Sequence, residues 1–215
     1  MSSMDGSTTA QELSSTGHEE HRDDTGAKLG MWLFLFTELM LFGVLFIIYA
    51  VYRAEYSRDF HHAAQQLDVA LGSFNTFVLL TSSLTMVLSI SALQKKDKDL
   101  SICFLLSTIC LGLLFMVNKF FEWNAKISHG IYPSSDHLAE MPHGEQIFYG
   151  LYFIMTGLHG LHVVAGVVLL SVMLLFLARD KITSERFVML ENSGLYWHLV
   201  DLVWIFLLPL FYLTT

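Results

Sequence analysis

Hydrophobic positions along the chain form five long blocks that are separated by short polar segments. A transmembrane helix needs about 20 consecutive, mostly apolar residues, and each block is close to or above that length. The pattern predicts transmembrane helices at residues 30–52, 71–93, 100–123, 147–178 and 195–213. We therefore expect an all-α integral membrane protein whose membrane domain, residues 30–215, is a bundle of five transmembrane helices.

The first 29 residues have the opposite character. They combine Ser, Thr and Gly with more acidic than basic side chains and account for half of the formal net charge of −8. Such a composition cannot bury enough apolar surface to fold, so we predict a flexible acidic tail over residues 1–29. Only 15% of the whole chain is charged, against about 25% in soluble domains. The sequence has no basic patch, and we expect no nucleic-acid partner.

The distribution of Lys and Arg predicts how the bundle is oriented. The tail and the second and fourth loops contain eight basic residues, whereas the opposite side contains three. Positively charged loops remain in the cytoplasm, which predicts a cytoplasmic N-terminus and an outside C-terminus. We expect a multi-pass protein of a bacterial-type cytoplasmic (inner) membrane. Aromatic residues near the span ends are predicted to be interfacial anchors: Trp32, Trp123, Tyr149, Tyr152, Tyr196, Trp197 and Tyr212.

Ionisable residues inside spans are costly and are therefore candidate functional residues. At about 1.5 Å per residue, Glu38, His198 and Asp201 are predicted to lie at similar depth in the cytoplasmic half. His198 and Asp201 share a helix face and could hydrogen-bond each other. Two interpretations remain open for these groups. They could take part in proton chemistry, or they could simply hydrogen-bond one another and so have only a structural role.

The third predicted span has Lys119 and Glu122 at its outer end. This spacing is typical of a lysine that extends to the membrane surface and pairs with a hydrated carboxylate. Cys103 and Cys110 are seven residues apart on one helix, too far for a disulfide between them. We interpret both cysteines as small buried hydrophobic residues.

His159 and His162 stand three residues apart in the apolar segment TGLHGLHVVAG. They could ligate a haem or a metal, hold a proton, or pin helices together. Two histidines on one helix face cannot bind opposite sides of one haem, and a metal site would need further converging ligands. We predict that both are structural or proton-related, that each hydrogen-bonds a neighbouring helix, and that this chain contains no metal or redox cofactor.

Several stretches together resemble subunit III of the haem–copper respiratory oxidases, in its five-helix form. They are GMWLFLFTELMLFGVLF with Glu38, FNTFVLLTSS, NKFFEWNAKISHGIY with Glu122, GLHGLHVVAG, and LYWHLVDLVWIFLLPLFY. The resemblance covers nearly all of residues 30–215. Larger family members have two more N-terminal helices that form one wall of a lipid cleft, and this sequence has the acidic tail instead.

The resemblance implies a non-catalytic accessory subunit of a cytochrome c or quinol oxidase. It would pack directly against catalytic subunit I, associate with subunit II and other oxidase subunits, and sustain proton uptake, stability and turnover. Haem and copper would lie in those partner subunits, and phospholipid could bind this chain. Glu38 corresponds to the family carboxylate that reacts with carbodiimide.

Three alternatives remain. A related group of proteins accompanies nitric oxide reductases. The membrane carboxylates and histidines could also belong to a free-standing proton or ion carrier, although the sequence lacks the internal symmetry of transporters. A membrane cytochrome is disfavoured by the arrangement of its histidines.

Overall fold

Five long helices and two short ones make up the computed structural model, which describes residues 24–128, 130–132 and 135–213. In chain order they are α1 (Asp24–Glu55), α2 (Ser57–Ala64), α3 (Val69–Gln94), α4 (Lys98–Ser128), α5 (Asp136–Ala139), α6 (His143–Ala178) and α7 (Val188–Tyr212). The five long helices are each long and apolar enough to cross a membrane. The predicted all-α bundle of five transmembrane helices is confirmed.

Three of the five helices extend beyond the predicted spans at both ends and the other two only at their N-terminal ends, because polar residues continue the helix where apolar residues stop. At 1.5 Å per residue, the 36 residues of α6 measure about 54 Å, well above the roughly 30 Å of a bilayer core. Residues 24–29 belong to α1 although the sequence assigned them to the tail. The rest of the predicted tail, residues 1–23, lies outside the described residues.

Helix α7 lies at the centre of the packing and contacts α3, α6 and α1. Its Trp197 and Trp204 are fully buried. The Trp197 indole lies between Gly112 of α4 and Gly166 of α6, where a Cβ atom would come within 2.7 and 2.8 Å of the ring. Glycine at both positions allows these two helices to approach the indole closely.

Helices α3 and α4 form an antiparallel pair with the most extensive packing in the bundle. Hydrogen bonds connect them at three levels: Asn118 to Asn75 (2.9 Å), Thr85 with Thr108 (2.8 Å), and Ser89 to the Ser101 carbonyl (2.9 Å). Apolar side chains gain little by leaving lipid for a helix interface, because lipid is itself apolar. Helices in a membrane are therefore joined by close packing of small residues and by hydrogen bonds of this kind.

The bundle has two ends, which we call the N-terminal face and the C-terminal face. The N-terminal face includes the start of α1 and the ion pair Lys28–Glu191 (3.1 Å) between α1 and α7. At the C-terminal face, His62 of α2 lies 2.8 Å from Glu145 of α6, so α2 is fixed to the start of α6. Neither face is assigned to a cellular compartment by the structure, and the predicted orientation stays a prediction.

Two expectations about side-chain burial were wrong. Cys103 and Cys110 are both exposed on the outer surface of α4, because their seven-residue spacing follows the face of that helix turned away from its neighbours. Of the seven predicted interfacial aromatic residues, five are instead buried in the bundle: Tyr149, Tyr152, Tyr196, Trp197 and Tyr212. Nearness to a span end fixes the depth of a residue but not the side of the helix on which it lies.

Candidate functional site

The first polar cluster inside the bundle joins α1 to α6. Nε2 of His162 lies 2.8 Å from a carboxylate oxygen of Glu38, and its Nδ1 lies 2.8 Å from the Leu158 carbonyl oxygen. Both side chains are largely buried, with 15% and 16% of their surfaces exposed. The edge of the Phe42 ring packs against the imidazole, with ring centroids 5.4 Å apart.

This geometry fixes how many protons the pair holds. A carbonyl oxygen can only accept, so Nδ1 of His162 must carry a hydrogen and donate it to Leu158. One proton then lies between Nε2 and the Glu38 carboxylate, either on the imidazole as an ion pair or on the acid as a neutral pair. The pair can therefore hold or release a single proton without losing its other hydrogen bond.

The contact between Glu38 of α1 and His162 of α6 was not predicted from the sequence, which grouped Glu38 with His198 and Asp201. Residue counts from the Lys28–Glu191 ion pair still place Glu38 and Asp201 at similar depth, because each lies ten residues after its member of that pair. The prediction that His162 bonds a neighbouring helix is confirmed.

His159 does not behave as predicted. It is buried, and neither ring nitrogen has a hydrogen-bond partner among the described residues. Aromatic rings of Trp204 (centroid distance 5.2 Å) and Phe115 (5.6 Å) pack against the imidazole. It is held by ring packing and not by a polar bond to another helix. With His162 fully engaged and rings closing on His159, this pair does not fit a haem or a metal.

The second cluster surrounds Lys119 and Glu122 of α4. The Lys119 ammonium donates to Glu122 (2.9 Å), Tyr212 (3.0 Å) and Tyr152 (3.2 Å). The Glu122 carboxylate also accepts from Tyr152 (2.6 Å) and Tyr212 (2.5 Å). The ammonium lies 5.1 Å from the centre of the Trp204 ring. A buried ion pair needs such additional bonds to offset the loss of water.

This arrangement overturns the prediction of a surface lysine with a hydrated carboxylate. The pairing of Lys119 with Glu122 is correct, but their side chains are only 9% and 5% exposed. Both point into the bundle because α6 and α7 supply phenol hydroxyls there. Sequence reasoning missed Tyr152 and Tyr212 as members of the cluster. One signal was available, since Tyr152 lies seven residues before His159 and so shares its buried face.

The third cluster lies in α7 and α3. Nδ1 of His198 is 2.6 Å from the Ser83 hydroxyl. Asp201 is 3% exposed, and neither of its carboxylate oxygens has a hydrogen-bond partner in the described ranges. Ser83 also faces the Asp201 carboxyl, but its hydrogen bond goes to His198. The hydrogen bond that His198 and Asp201 could have made is absent from the described contacts, and both side chains lie beside Ser83.

None of these clusters combines ligands in the way a metal site does. In the part of the chain that the structure describes, no three His, Cys, Asp or Glu side chains converge. Each cluster instead connects two or three helices through hydrogen bonds between partly or fully buried side chains. The fold and these clusters define a multi-pass helical membrane protein whose buried polar groups join its helices.

Comparison with known proteins identifies the family. The family model for cytochrome c oxidase subunit III matches residues 6–215, and the chain belongs to this family. It is 31% identical to cytochrome c oxidase subunit 3 of Rhipicephalus sanguineus, over 94% of this chain and 76% of that protein. It is 30% identical to a probable quinol oxidase subunit 3 of Staphylococcus haemolyticus, over 86% of this chain and 88% of the relative.

Family membership settles the general class of function. The chain is an accessory subunit of a haem–copper oxidase, associates with other oxidase subunits, and is part of an oxidoreductase complex in a membrane. The resemblance predicted from the sequence motifs is confirmed.

Proposed function

We propose that this chain is the non-redox subunit III of a proton-pumping terminal oxidase in a bacterial-type cytoplasmic membrane. It packs directly against catalytic subunit I, and it supports proton uptake, stability and sustained turnover. Haem and copper lie in the partner subunits, and oxygen is reduced there.

The observation that carries this proposal is the pair of Glu38 and His162. It lies about halfway along α1 and α6, holds one exchangeable proton, and keeps a small exposed surface between the two helices. An ionisable pair at this depth is costly unless a neighbour or a function requires it. A docked subunit would cover the exposed part, and the shared proton gives the pair a means to act on proton transfer in that neighbour.

The histidine geometry supports placing the redox chemistry in partner subunits. Both nitrogens of His162 are engaged, and the rings of Trp204 and Phe115 enclose His159. The contribution of this chain to turnover would then be indirect, through the proton balance and the stability of subunit I.

Replacing Glu38 with Ala in the intact oxidase tests the proposal. We expect an unchanged haem spectrum and nearly unchanged initial oxygen consumption, followed by faster inactivation during turnover or weaker proton uptake. Thr37→Ala is the matched control, because Thr37 is exposed on the same helix and its hydroxyl bonds only the Phe34 carbonyl of that helix.

Two outcomes would contradict this role. Immediate loss of oxygen reduction in an assembled Glu38→Ala complex would place Glu38 on an obligatory catalytic path. Unchanged long-term turnover and proton uptake would show that Glu38 has only a structural role. Purification in mild detergent adds an independent test, since the proposal requires a large haem-containing subunit to accompany this chain.

A further inference from the structure

A pocket of about 340 Å³ lies at the N-terminal face between α1, α3 and α7. The Lys28–Glu191 ion pair and Trp32 line this pocket, and the Lys28 side chain is half exposed. His198 lies deepest among the lining residues of α7. It is ten residues after the first residue of that helix, Val188, which corresponds to about 15 Å at 1.5 Å per residue. The pocket thus connects the surface of this face with the imidazole of His198.

Asp201 lies one helical turn beyond His198, near the middle of α7. It is almost completely buried, and its carboxylate oxygens accept no hydrogen bond from the described residues. An ionised carboxylate without a partner in an apolar interior costs several kcal/mol. Such a group avoids that cost by keeping its proton.

Ser83 connects the buried acid with the pocket. Its hydroxyl is 2.6 Å from Nδ1 of His198 and faces the Asp201 carboxyl. A hydroxyl can accept one proton while it donates another. Ser83 therefore stands where a proton passing between Asp201 and His198 would need an intermediate.

We propose that Asp201 is a protonated carboxyl that exchanges its proton with water at the N-terminal face through Ser83 and His198. In the outward direction the acid passes its proton to Ser83, Ser83 passes its own to Nδ1 of His198, and the imidazole releases the Nε2 proton to water in the pocket. The return transfer restores all three groups, so no net charge remains in the membrane.

The other charged groups near this route lie at its outer end. Lys28 of α1 and Glu191 of α7 form their ion pair at the pocket, and α3 contributes Ser83 as its polar group beside the acid. This exchange involves the Asp201 proton of this chain alone and does not require that oxygen reduction depend on that proton. If the N-terminal face is cytoplasmic, as the basic residues predict, Asp201 exchanges with the cytoplasm.

Infrared spectroscopy of the intact purified oxidase tests both parts of the proposal. The carbonyl stretch of a protonated carboxyl is resolved from that of a carboxylate, and it shifts when deuterium replaces the proton. We expect one such band in the unmodified complex to disappear in Asp201→Asn and to shift rapidly after transfer to D₂O. In Ser83→Ala and His198→Phe the band should persist and its shift should be at least tenfold slower. Glu38→Gln is the control, because it removes the carboxyl that shares a proton with His162 and should leave this band in place.

Each alternative result is informative. If Asp201→Asn removes no protonated-carboxyl band, Asp201 is ionised and the proposal is wrong. If the band is present but shifts only after unfolding, the acid is sealed and does not exchange. Equal exchange rates in the unmodified, Ser83→Ala and His198→Phe complexes would exclude this route. Should Asp201→Asn fail to assemble, Asp201→Glu serves instead, since it should move the band while keeping the acid.

Discussion

The imidazole of His162 and the carboxylate of Glu38 lie 2.8 Å apart and join α1 to α6 near the middle of the bundle. Most of the α1 surface is exposed, and this helix contacts the rest of the bundle only along the side with Leu35, Phe42 and Tyr49. At its far end the Tyr49 hydroxyl donates to the Leu210 carbonyl of α7. The pair is therefore a major part of what holds α1 in place.

Breaking this pair should loosen α1. We expect Glu38→Ala and His162→Ala each to lower the free energy of unfolding by about 1–3 kcal/mol, because each leaves a buried polar partner unpaired. The double variant should cost less than the sum of the two, by about 0.5–3 kcal/mol. Thermal dissociation of this chain from the purified complex measures both effects. Strict additivity would show that the two residues do not interact.

In the cluster around Lys119, removal of one charge should destabilise the protein more than removal of both. Glu122→Gln leaves the buried ammonium without its carboxylate and should cost about 3–5 kcal/mol. Replacing both charges together, with Lys119→Met and Glu122→Gln, should cost less than Glu122→Gln alone, because no buried charge then lacks a partner. A double variant more damaging than Glu122→Gln would show that the ion pair itself holds the bundle together.

The tyrosine hydroxyls of that cluster allow a finer test. Tyr212→Phe removes one hydrogen bond to Glu122 and one from Lys119, so the melting temperature of the complex should fall. Tyr132→Phe is the matched control, because that tyrosine is 43% exposed and should change nothing measurable. A similar effect of both substitutions would mean that the hydroxyl of Tyr212 makes no special contribution.

The fold followed from the sequence because the five apolar blocks are long and the membrane permits only helices there. The partners of the buried polar groups did not follow, because they depend on rotation of each helix about its axis. Every span is apolar on several sides, so its pattern of residues gives no strong preference for one face. Glu38 and His162, or Lys119 and Tyr212, meet across helices that are far apart in the sequence.

Glycine positions illustrate the same limit. The spacing of Gly150, Gly157 and Gly160 on one helix is typical of packing sites in membranes, but a Cβ atom at Gly150 or Gly160 would have no neighbour within 4 Å. Close contacts do occur at Gly112 and Gly166, where the Trp197 indole fills the space. The sequence does not reveal the position of that indole, which distinguishes these two glycines from Gly150 and Gly160.

Substitution of these glycines gives a direct comparison. Gly112→Ala and Gly166→Ala place a methyl group against the Trp197 ring and should each cost about 1–3 kcal/mol through overpacking. Gly160→Ala adds the same methyl group where space is open, so it should be neutral or slightly stabilising as alanine favours helix. The amount of assembled complex and its thermal midpoint measure the difference. Equal tolerance of all three would show that the helices separate easily at Trp197.

The predicted orientation can be tested with reporter fusions. Lys98 begins α4 at the N-terminal face, which the basic residues predict to be cytoplasmic. A reporter that is active only outside the cytoplasm should therefore work when fused after Thr215 and fail when fused after Lys98. The reverse pattern at both sites would invert the orientation and would also change the compartment with which Asp201 exchanges its proton.

Chemical labelling distinguishes the two paired carboxylates. Carbodiimides add to protonated carboxyl groups, and Glu38 shares one proton with His162 while 16% of its side chain remains exposed on the surface of this chain. Glu122 accepts three hydrogen bonds and is only 5% exposed. We predict that a membrane-soluble carbodiimide modifies Glu38 well before Glu122, as mass spectrometry of the digested chain would show. The enclosure of Glu122, and not the hydration that its position in the sequence predicted, is the reason for this order.

His162→Phe sharpens this labelling experiment. Without the imidazole, the Glu38 carboxyl loses its hydrogen-bond partner on α6 and is freer to meet the reagent, so labelling should become faster. Glu38→Gln in the same preparation should abolish the modified peptide and confirms the assignment. Slower labelling in His162→Phe would mean that the imidazole delivers the proton needed for the reaction. Earlier modification of Glu122 than of Glu38 would contradict the enclosure of Glu122 by Lys119, Tyr152 and Tyr212.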